Sequence, residues 1–369
     1  MYENISMKLN PYLGRSKNLM EFFIIVGYDE KILMEYAIDS DISEKNFELS
    51  IISSVTSDLS YGVFDPDKVI KQIYPDTPKI IKIKKSEAKP KLTSVLFYSC
   101  FDTYEGDGKI LYSCYALRFY EELKVSDNSY YIPKAFLIFS QYPYFTTFHN
   151  ICLNIFEQKE CNRKNKIPIE ILLYCLVNYI PSPIINNLRL KLFENKNDII
   201  INKLTGYPYI DFNLCEIFNI IPLDLFIKIY MLTFLEISLL FFSPDLVKLN
   251  LLMYIFNILN YPLIDSNYYW HIKSISKNDI KYGEDALNPT FRGVNAPFES
   301  SVNFSQFRNL NYIVDINNKA LKCINNIVTD ETRNLKKLLD YFDKILSPSE
   351  KFLFFSIFLT ISIQFLSSL

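Results

Sequence analysis

The residues that could carry covalent chemistry are few, and the two histidines, His149 and His271, set the limit. A nucleophilic serine or cysteine needs a neighbouring general base, which in this chain would have to be one of these two. Neither lies in a Gly-x-Ser-x-Gly or comparable frame. Two histidines leave little room for a multi-histidine metal site, and eight glycines leave little for phosphate-binding loops. A hydrolase is therefore the least favoured interpretation, and we expect no catalytic residue, metal site or cofactor.

The composition indicates a folded cytoplasmic protein that does not bind nucleic acid. Of 369 residues, 49% are hydrophobic and 22% are charged, which is typical of globular proteins. The net charge of −2 argues against a general nucleic-acid partner. The seven cysteines are odd in number and show no CxxC spacing, so buried thiols are favoured over disulfides or metal ligands.

The elements that would have to position any site follow from the hydrophobic pattern. The clearest local signal is a hairpin between β-rich runs at 93–101 and 109–119, joined by an Asp-Gly turn that tolerates positive φ. Other strand-like runs are 21–26, 132–140, 237–243, 268–275, 291–294 and 312–316. Helical patterns cover 146–158, 168–179, 223–235, 244–259, 333–345 and 350–369. The strand–helix alternation of the second half predicts helices packed on a sheet.

Two sequence blocks between residues 112 and 148 resemble the DENN-domain family. The first, YSCYALRFYEE at 112–122, is similar to the family strand DG-x-x-x-Y-x-x-C-L-R-F-Y-E. The second begins YIPKAFLIFS at 131–140 and continues with PYF at 143–145 and Phe148, which resembles the family's Y-V/I-P-K run and its later P-F/Y-F-x-x-F. Stretches at 167–181, 223–249 and 261–315 agree in the same order. The resemblance covers residues 20–320.

The resemblance implies an α/β protein with a longin-like N-terminal lobe, an antiparallel sheet with helices, followed by an α/β C-terminal lobe. We expect a loose arm at 1–20, an upstream DENN lobe at 21–160 and a central DENN lobe at 161–330. Residues 331–369 would start the downstream DENN helices, which look truncated. The sequence departs from the family at two points. The basic residues that usually follow Glu236 are missing, and the usual P-F/Y-I/L-x-G-V/I run reads PTFRGV at 289–294.

The resemblance implies a guanine-nucleotide exchange factor for a Rab-family GTPase in vesicle-mediated transport, with the GTPase switch regions bound against both lobes. Exchange breaks no covalent bond, because the exchange factor shifts the GTPase toward its nucleotide-free conformation. It therefore needs a complementary surface and no nucleophile, metal or glycine loop. Two alternatives are a DENN-fold scaffold without exchange activity and a GTPase-activating protein. The second would need an arginine finger, for which Arg292 and Arg308 are the candidates in loop-like sequence.

The resemblance also suggests where a GTPase would bind. Lys134, in the family's Y-x-P-K run, is the residue that we most expect to face a partner. In the second lobe the candidates bracket a strand end and a helix start, where ligands often bind in α/β sheets. They are Glu236, Ser243, Asp245 and Lys248.

Other family-motif residues are expected to have structural roles. Arg118 and Glu121 would order strand or loop ends, Tyr120 would pack between layers, and Pro133 would start a strand. Tyr131 matches the same motif. The motif aromatics are expected in the core, namely Phe119, Tyr120, Tyr131, Tyr144, Phe145 and Phe148.

Membrane contact is a separate question. Rab exchange factors act at membrane surfaces, so the resemblance implies a cytoplasmic protein recruited peripherally to intracellular membranes. The basic segment 79–91 could touch anionic lipid, although an exposed, solvated connector is favoured. The last segment, 352–369, is just long enough for a membrane span, although a buried or amphipathic helix is favoured.

Overall fold

Runs rich in β-branched and aromatic residues form the strands of two main sheets in the computed structural model. By their contacts the residues divide into two compact units, Glu3–Phe212 and Asn213–Leu369, the latter joined by Met1–Tyr2. The structure describes residues 17–37, 41–56, 62–63, 65–74, 77–83, 89–103, 109–125, 128–142, 144–161, 169–183, 187–193, 196–202, 211, 217–234, 237–259, 274–275, 291–294, 312–323 and 337.

The first unit is built on a seven-stranded antiparallel sheet. Its strands are β1 (Phe22–Gly27), β2 (Ser50–Thr56), β3 (Gly62–Val63), β4 (Ile81–Lys82), β5 (Thr93–Thr103), β6 (Lys109–Val125) and β7 (Asn128–Ser140). Their order is β2-β1-β7-β6-β5-β3, with β4 paired to β7. The predicted hairpin is confirmed, because β5 and β6 pair antiparallel with Thr93 opposite Arg118. Its turn, 104–108, lies outside the described residues.

The described part of this unit also contains four α-helices, a 3₁₀ turn at Ile42–Glu44 and a short hairpin. The helices are α1 (Glu30–Ala37), α2 (Pro66–Ile73), α3 (Phe145–Cys161) and α4 (Ile169–Tyr179), and the hairpin is β8 (Leu188–Leu190) with β9 (Ile199–Ile201). Helix α3 packs on β6, where the rings of Phe119 and Phe156 are 5.0 Å apart. Asp211, distant in sequence, accepts a hydrogen bond from the Thr147 N–H at 3.1 Å and so caps the start of α3. The predicted helices at 146–158 and 168–179 are therefore confirmed.

Aromatic side chains fill the core of the first sheet. Phe22, Tyr112 and Phe139 are buried and meet edge to face, with ring centroids 5.6 to 6.3 Å apart. Four of the motif aromatics are buried as predicted, namely Phe119, Tyr144, Phe145 and Phe148. Tyr120 and Tyr131 are only half-buried. The aromatic excess of the composition therefore serves packing in this unit.

A buried carboxylate lies beside these rings. Glu21 accepts hydrogen bonds from the Tyr112 hydroxyl at 2.5 Å and from the Gln141 side-chain amide at 2.6 Å. Both contacts join residues far apart in the chain. They satisfy two carboxyl oxygens that would otherwise be costly to bury.

The second unit contains a five-stranded mixed sheet with helices. Its elements are α5 (Ile217–Ile220), α6 (Leu223–Phe234), β10 (Leu239–Phe242), α7 (Leu246–Leu259), β11 (Ser274–Ile275), β12 (Phe291–Val294), β13 (Tyr312–Asp315) and β14 (Ala320–Cys323). The order is β11-β12-β10-β13-β14, and only β14 is antiparallel to its neighbour. Its strand–helix alternation confirms the predicted α/β class. The predicted helices at 333–345 and 350–369, and most of the strand at 268–275, lie outside the described residues.

The contacts divide the chain at a different point from the family-based lobes, and one predicted connector is wrong at its start. The contact-based division falls between Phe212 and Asn213, later than the lobe boundary expected at residue 160, because α4 contacts β1 and β2. The family-based lobe limits stay a prediction. The interpretation of 79–91 as an exposed connector is wrong at its start, since Ile80 is buried and β4 joins the sheet opposite Tyr131. None of the described helices combines the length and hydrophobicity needed to cross a membrane.

Candidate functional site

The carboxyl ends of three parallel strands meet at one edge of the second sheet. In register, Phe242 of β10 lies between Val294 of β12 and Asp315 of β13. The Ser243 N–H donates to the Val294 carbonyl at 3.1 Å, and the Ile316 N–H donates to the Phe242 carbonyl at 3.0 Å. The predicted placement of Ser243 at a strand end is confirmed. We call this region the carboxyl edge and define it by residues 243–248 and 315–322.

A helix N-terminus forms one side of the carboxyl edge. The Ser243 hydroxyl is buried and accepts from the Asp245 N–H at 3.1 Å. Asp245 Oδ1 accepts from the N–H groups of Val247 and Lys248 at 3.1 and 3.3 Å, which makes Asp245 the N-cap of α7. Lys248 is half exposed, and its Nζ lies 3.4 Å from Asp245 Oδ2. Asp245 and Lys248 therefore reach solvent, Ser243 is structural, and Glu236 lies outside the described residues.

The β13–β14 turn forms the other side, and its central residue escaped the sequence analysis. Asp315 is fully buried, with Oδ1 accepting the Asn318 N–H at 3.1 Å and Oδ2 accepting Asn318 Nδ2 at 2.8 Å and Lys322 Nζ at 3.3 Å. Burial opposes the charge, but the hydrogen bonds from Asn318 and Lys322 outweigh it and lower the pKa of Asp315. The available signal was an aspartate directly after an apolar strand with asparagines following, a turn-forming pattern.

Lys134 is not exposed to a partner, contrary to the prediction. It is 4% exposed, and its ammonium forms ion pairs with Glu121 at 2.6 Å and with Glu30 at the start of α1. Burial lowers the pKa of Lys134, but the hydrogen bonds with the two carboxylates outweigh burial and raise it overall. Lys134 and Glu121 thus join α1 to the sheet, because a lysine at this depth needs compensating anions.

Arg118 holds the end of α2 against the sheet. Its Nε donates to Thr93 Oγ1 at 2.9 Å, and its Nη1 donates to the carbonyl of Ile73, the last residue of α2, at 3.3 Å. Its guanidinium lies 5.6 Å from the Tyr74 ring centre. Tyr120, on the same strand, is half-buried, and burial raises its pKa. These contacts give Arg118 the ordering role expected of it.

Pro133 lies inside a strand and does not begin one, which corrects the prediction. On one side β7 pairs with β1 as far as Lys134, opposite Gly27, and with β4 from Tyr131, opposite Ile81. Pro133 falls between these two partners. A residue without an N–H is tolerated there because no ladder hydrogen bond is required of it on that side. Tyr131 supports β4, so both motif residues organise the sheet.

One residue named for the alternative functions, Arg292, has a backbone setting different from the loop-like one expected of it. Arg292 lies in β12 opposite Leu240, not in a loop, so it does not have the backbone setting expected of a mobile arginine finger. Arg308 and His271 lie outside the described residues. Within the described part of the chain, no group of three or more His, Cys, Asp or Glu side chains could hold a metal ion.

His149 is a hydrogen-bond partner of the first sheet. Its Nδ1 lies 2.6 Å from the Tyr115 hydroxyl and 3.4 Å from Ser94 Oγ. The nearby Cys152 is fully buried, which raises the pKa of its thiol and disfavours the thiolate. Tyr115, rather than the serine, is the nearer neighbour of the imidazole, so this group does not support the hydrolase interpretation.

The protonation of His149 should make stability depend on pH. Burial lowers the pKa of His149 below its ordinary 6.5, so the unfolded chain binds a proton more readily than the folded chain. Its contribution is therefore complete above pH 6.5 and is lost as the pH falls toward the folded pKa. We expect the Tm to fall less in His149→Gln than in the wild type between about pH 7.5 and 5.5. Equal falls in thermal denaturation would contradict this account.

The comparisons with known proteins agree with the resemblance read from the sequence. The family model described as the DENN (AEX-3) domain matches residues 131–274, from β7 to the start of β11. No curated protein matches the chain. The matched segment includes Lys134, Ser243, Asp245 and Lys248. The resemblance predicted from the sequence is thereby confirmed over residues 131–274, which match the DENN domain.

Proposed function

We propose that this protein is a guanine-nucleotide exchange factor for a Rab-family GTPase. The observation that carries the proposal is the DENN-domain match over residues 131–274, since DENN domains are generally associated with exchange on Rab GTPases. The proposal includes contact between the GTPase switch regions and both DENN lobes. It also includes a role in vesicle trafficking, with peripheral recruitment from the cytoplasm to membranes.

The carboxyl edge offers the kind of surface that exchange requires. An exchange factor must bind the nucleotide-free GTPase more tightly than the nucleotide-bound form, so it benefits from groups fixed before binding. Here the Asp245 cap fixes the start of α7, and the buried Asp315 fixes the β13–β14 turn. Lys248, in the first turn of α7, is half exposed and carries a charge that a partner could contact. We propose Asp245 and Lys248 as GTPase contacts and retain Glu236 as a sequence-based candidate.

Measuring GDP release tests the proposal. Across a panel of Rab GTPases, the wild-type protein should accelerate GDP release from at least one. Lys248→Glu should reduce that acceleration about tenfold, because it reverses a charge at the surface. The substitution should leave folding intact, since glutamate is favoured at the third position of a helix.

The control is Lys191→Glu, which makes the same charge change at an exposed residue after β8. It should exchange nucleotide as the wild type does. Tight binding of a GTPase without faster GDP release would support the scaffold alternative. Faster GTP hydrolysis in single turnover would support a GTPase-activating protein. Failure of every GTPase to bind would refute the proposal.

A further inference from the structure

The β13–β14 turn presents a lysine in an unusual backbone conformation. Lys319 has φ 51°, in the left-handed region that lysine rarely adopts and that glycine or asparagine adopts more easily. Its side chain is exposed at the tip of the hairpin. Among the residues that the structure describes, Lys319 has no anionic partner. The turn therefore directs to solvent a positive charge that none of the described residues compensates.

The turn is held rigidly from within. Asp315 is buried and accepts two hydrogen bonds from Asn318, the residue before Lys319, and one from Lys322. The Lys319 N–H also closes the turn onto the Ile316 carbonyl at 3.4 Å. A side chain carried by such a turn loses little backbone freedom when it binds, so its contacts retain more of their free energy.

The charge around the tip favours an acidic partner. The cations of the carboxyl edge are Lys248, Lys319 and Lys322, whereas the exposed anion is Asp245. Asp315 pairs with Lys322 at 3.3 Å and Asp245 pairs with Lys248 at 3.4 Å, so these two carboxylates offset two of the three cations. The three lysines and two aspartates leave the carboxyl edge a net charge of +1, and Lys319 supplies it.

We infer that Lys319 is a partner-contacting residue, through which the carboxyl edge binds an acidic surface of the GTPase. The inference rests on the proposed function and adds to it a residue that neither the motif nor the family match singles out. It also assigns the chemistry of the contacted surface, which must carry carboxylates. Contacts of this kind act mainly on the association rate and are screened by salt.

The test measures association rates with a GTPase selected from the Rab panel in its nucleotide-free form. Lys319→Glu should slow association about tenfold at low salt, and the difference should disappear near 1 M salt. Lys319→Asn removes the charge while keeping a residue suited to the turn, and it should slow association about threefold. The control is Lys71→Glu, an exposed lysine on α2 with the same charge change, which should associate as the wild type does.

Each result decides something different. If the wild type binds and both Lys319 variants associate at the wild-type rate, the inference is wrong and the proposed function stands. If no GTPase binds the wild type, both are wrong. If Lys319→Glu associates slowly at every salt concentration while Lys319→Asn associates at the wild-type rate, the slow association comes from disruption of the turn, and the charge contact is refuted.

Discussion

Replacing Lys134 by glutamate should lower the free energy of unfolding of the first unit by about 4 kcal/mol. The substitution removes the cation between Glu30 and Glu121 and puts a third carboxylate in its place. Because position 134 is buried, water poorly screens the repulsion between the new carboxylate and the two glutamates. Lys134→Met keeps the apolar stem and removes the charge, and it should cost about 2 kcal/mol because the two glutamates are partly exposed. Urea denaturation followed by far-ultraviolet circular dichroism measures both.

A matched control distinguishes burial from charge reversal. Lys124 is exposed and lies 3.7 Å from Glu122, so Lys124→Glu should change stability by no more than about 0.5 kcal/mol. Adding Glu121→Gln to Lys134→Met should recover part of the loss, because it removes one uncompensated carboxylate. If Lys134→Glu unfolded at the wild-type urea concentration, the ion pairs would not be holding α1 to the sheet. Loss of exchange in this variant would report on folding and not on GTPase contact.

The burial of Lys134 shows why its role could not be read from the sequence. The motif around it predicts a strand, and a lysine in a strand has equal access to either face of the sheet. Its partner Glu30 lies 104 residues earlier, at the start of a helix that the hydrophobic pattern did not predict. The residues near Lys134 in sequence determine neither the face of the sheet on which it lies nor the carboxylate that pairs with it. The family resemblance identified the residue, and only the tertiary pairing identified what it does.

The central elements were predictable because their signals are local and strong. The strand–Asp-Gly–strand pattern predicts the β5–β6 hairpin, and the apolar run before Pro244 predicts β10 and the start of α7. By contrast β4 is only two residues long and lies in a lysine-rich segment. It becomes a strand because Ile80 packs into a cluster that includes Tyr28 and Tyr130, which are distant in sequence. Short elements of this kind depend on tertiary contacts rather than on their own pattern.

The candidate site also contains residues that local sequence predicts and residues whose role depends on tertiary contacts. Ser243, Asp245 and Lys248 were predictable because a strand followed by a capped helix fixes their position at the sheet edge. Asp315 was assigned only to a strand end, although it organises the turn beside them. Its importance comes from complete burial together with bonds to Asn318 and Lys322, and burial is a property of the folded sheet. Arg292 was described as loop-like although the run 291–294 around it was itself predicted to be a strand, and the structure confirms the strand.

Every larger residue at Gly293 should destabilise the second unit, which would explain the glycine in the corresponding family run. Helix α7 lies so close to β12 that a Cβ on Gly293 would contact Met253 Sδ and lie 3.0 Å from Leu249 Cγ and Cδ2. Gly293→Ala should lower the free energy of unfolding of the second unit by about 1 kcal/mol, because the methionine can partly move away, and Gly293→Val by about 3 kcal/mol. Chemical denaturation measures both.

A double mutant tests whether this contact is the cause. Met253→Ala should itself be destabilising, since it leaves a cavity under the helix. Combined with Gly293→Ala it should cost less than the two single changes together, because the new methyl group occupies part of the space that the methionine leaves. Strict additivity would mean that the close approach of α7 to β12 does not explain the glycine. A favourable coupling would tie the family's glycine to the packing of α7, the helix whose first turn forms one side of the carboxyl edge.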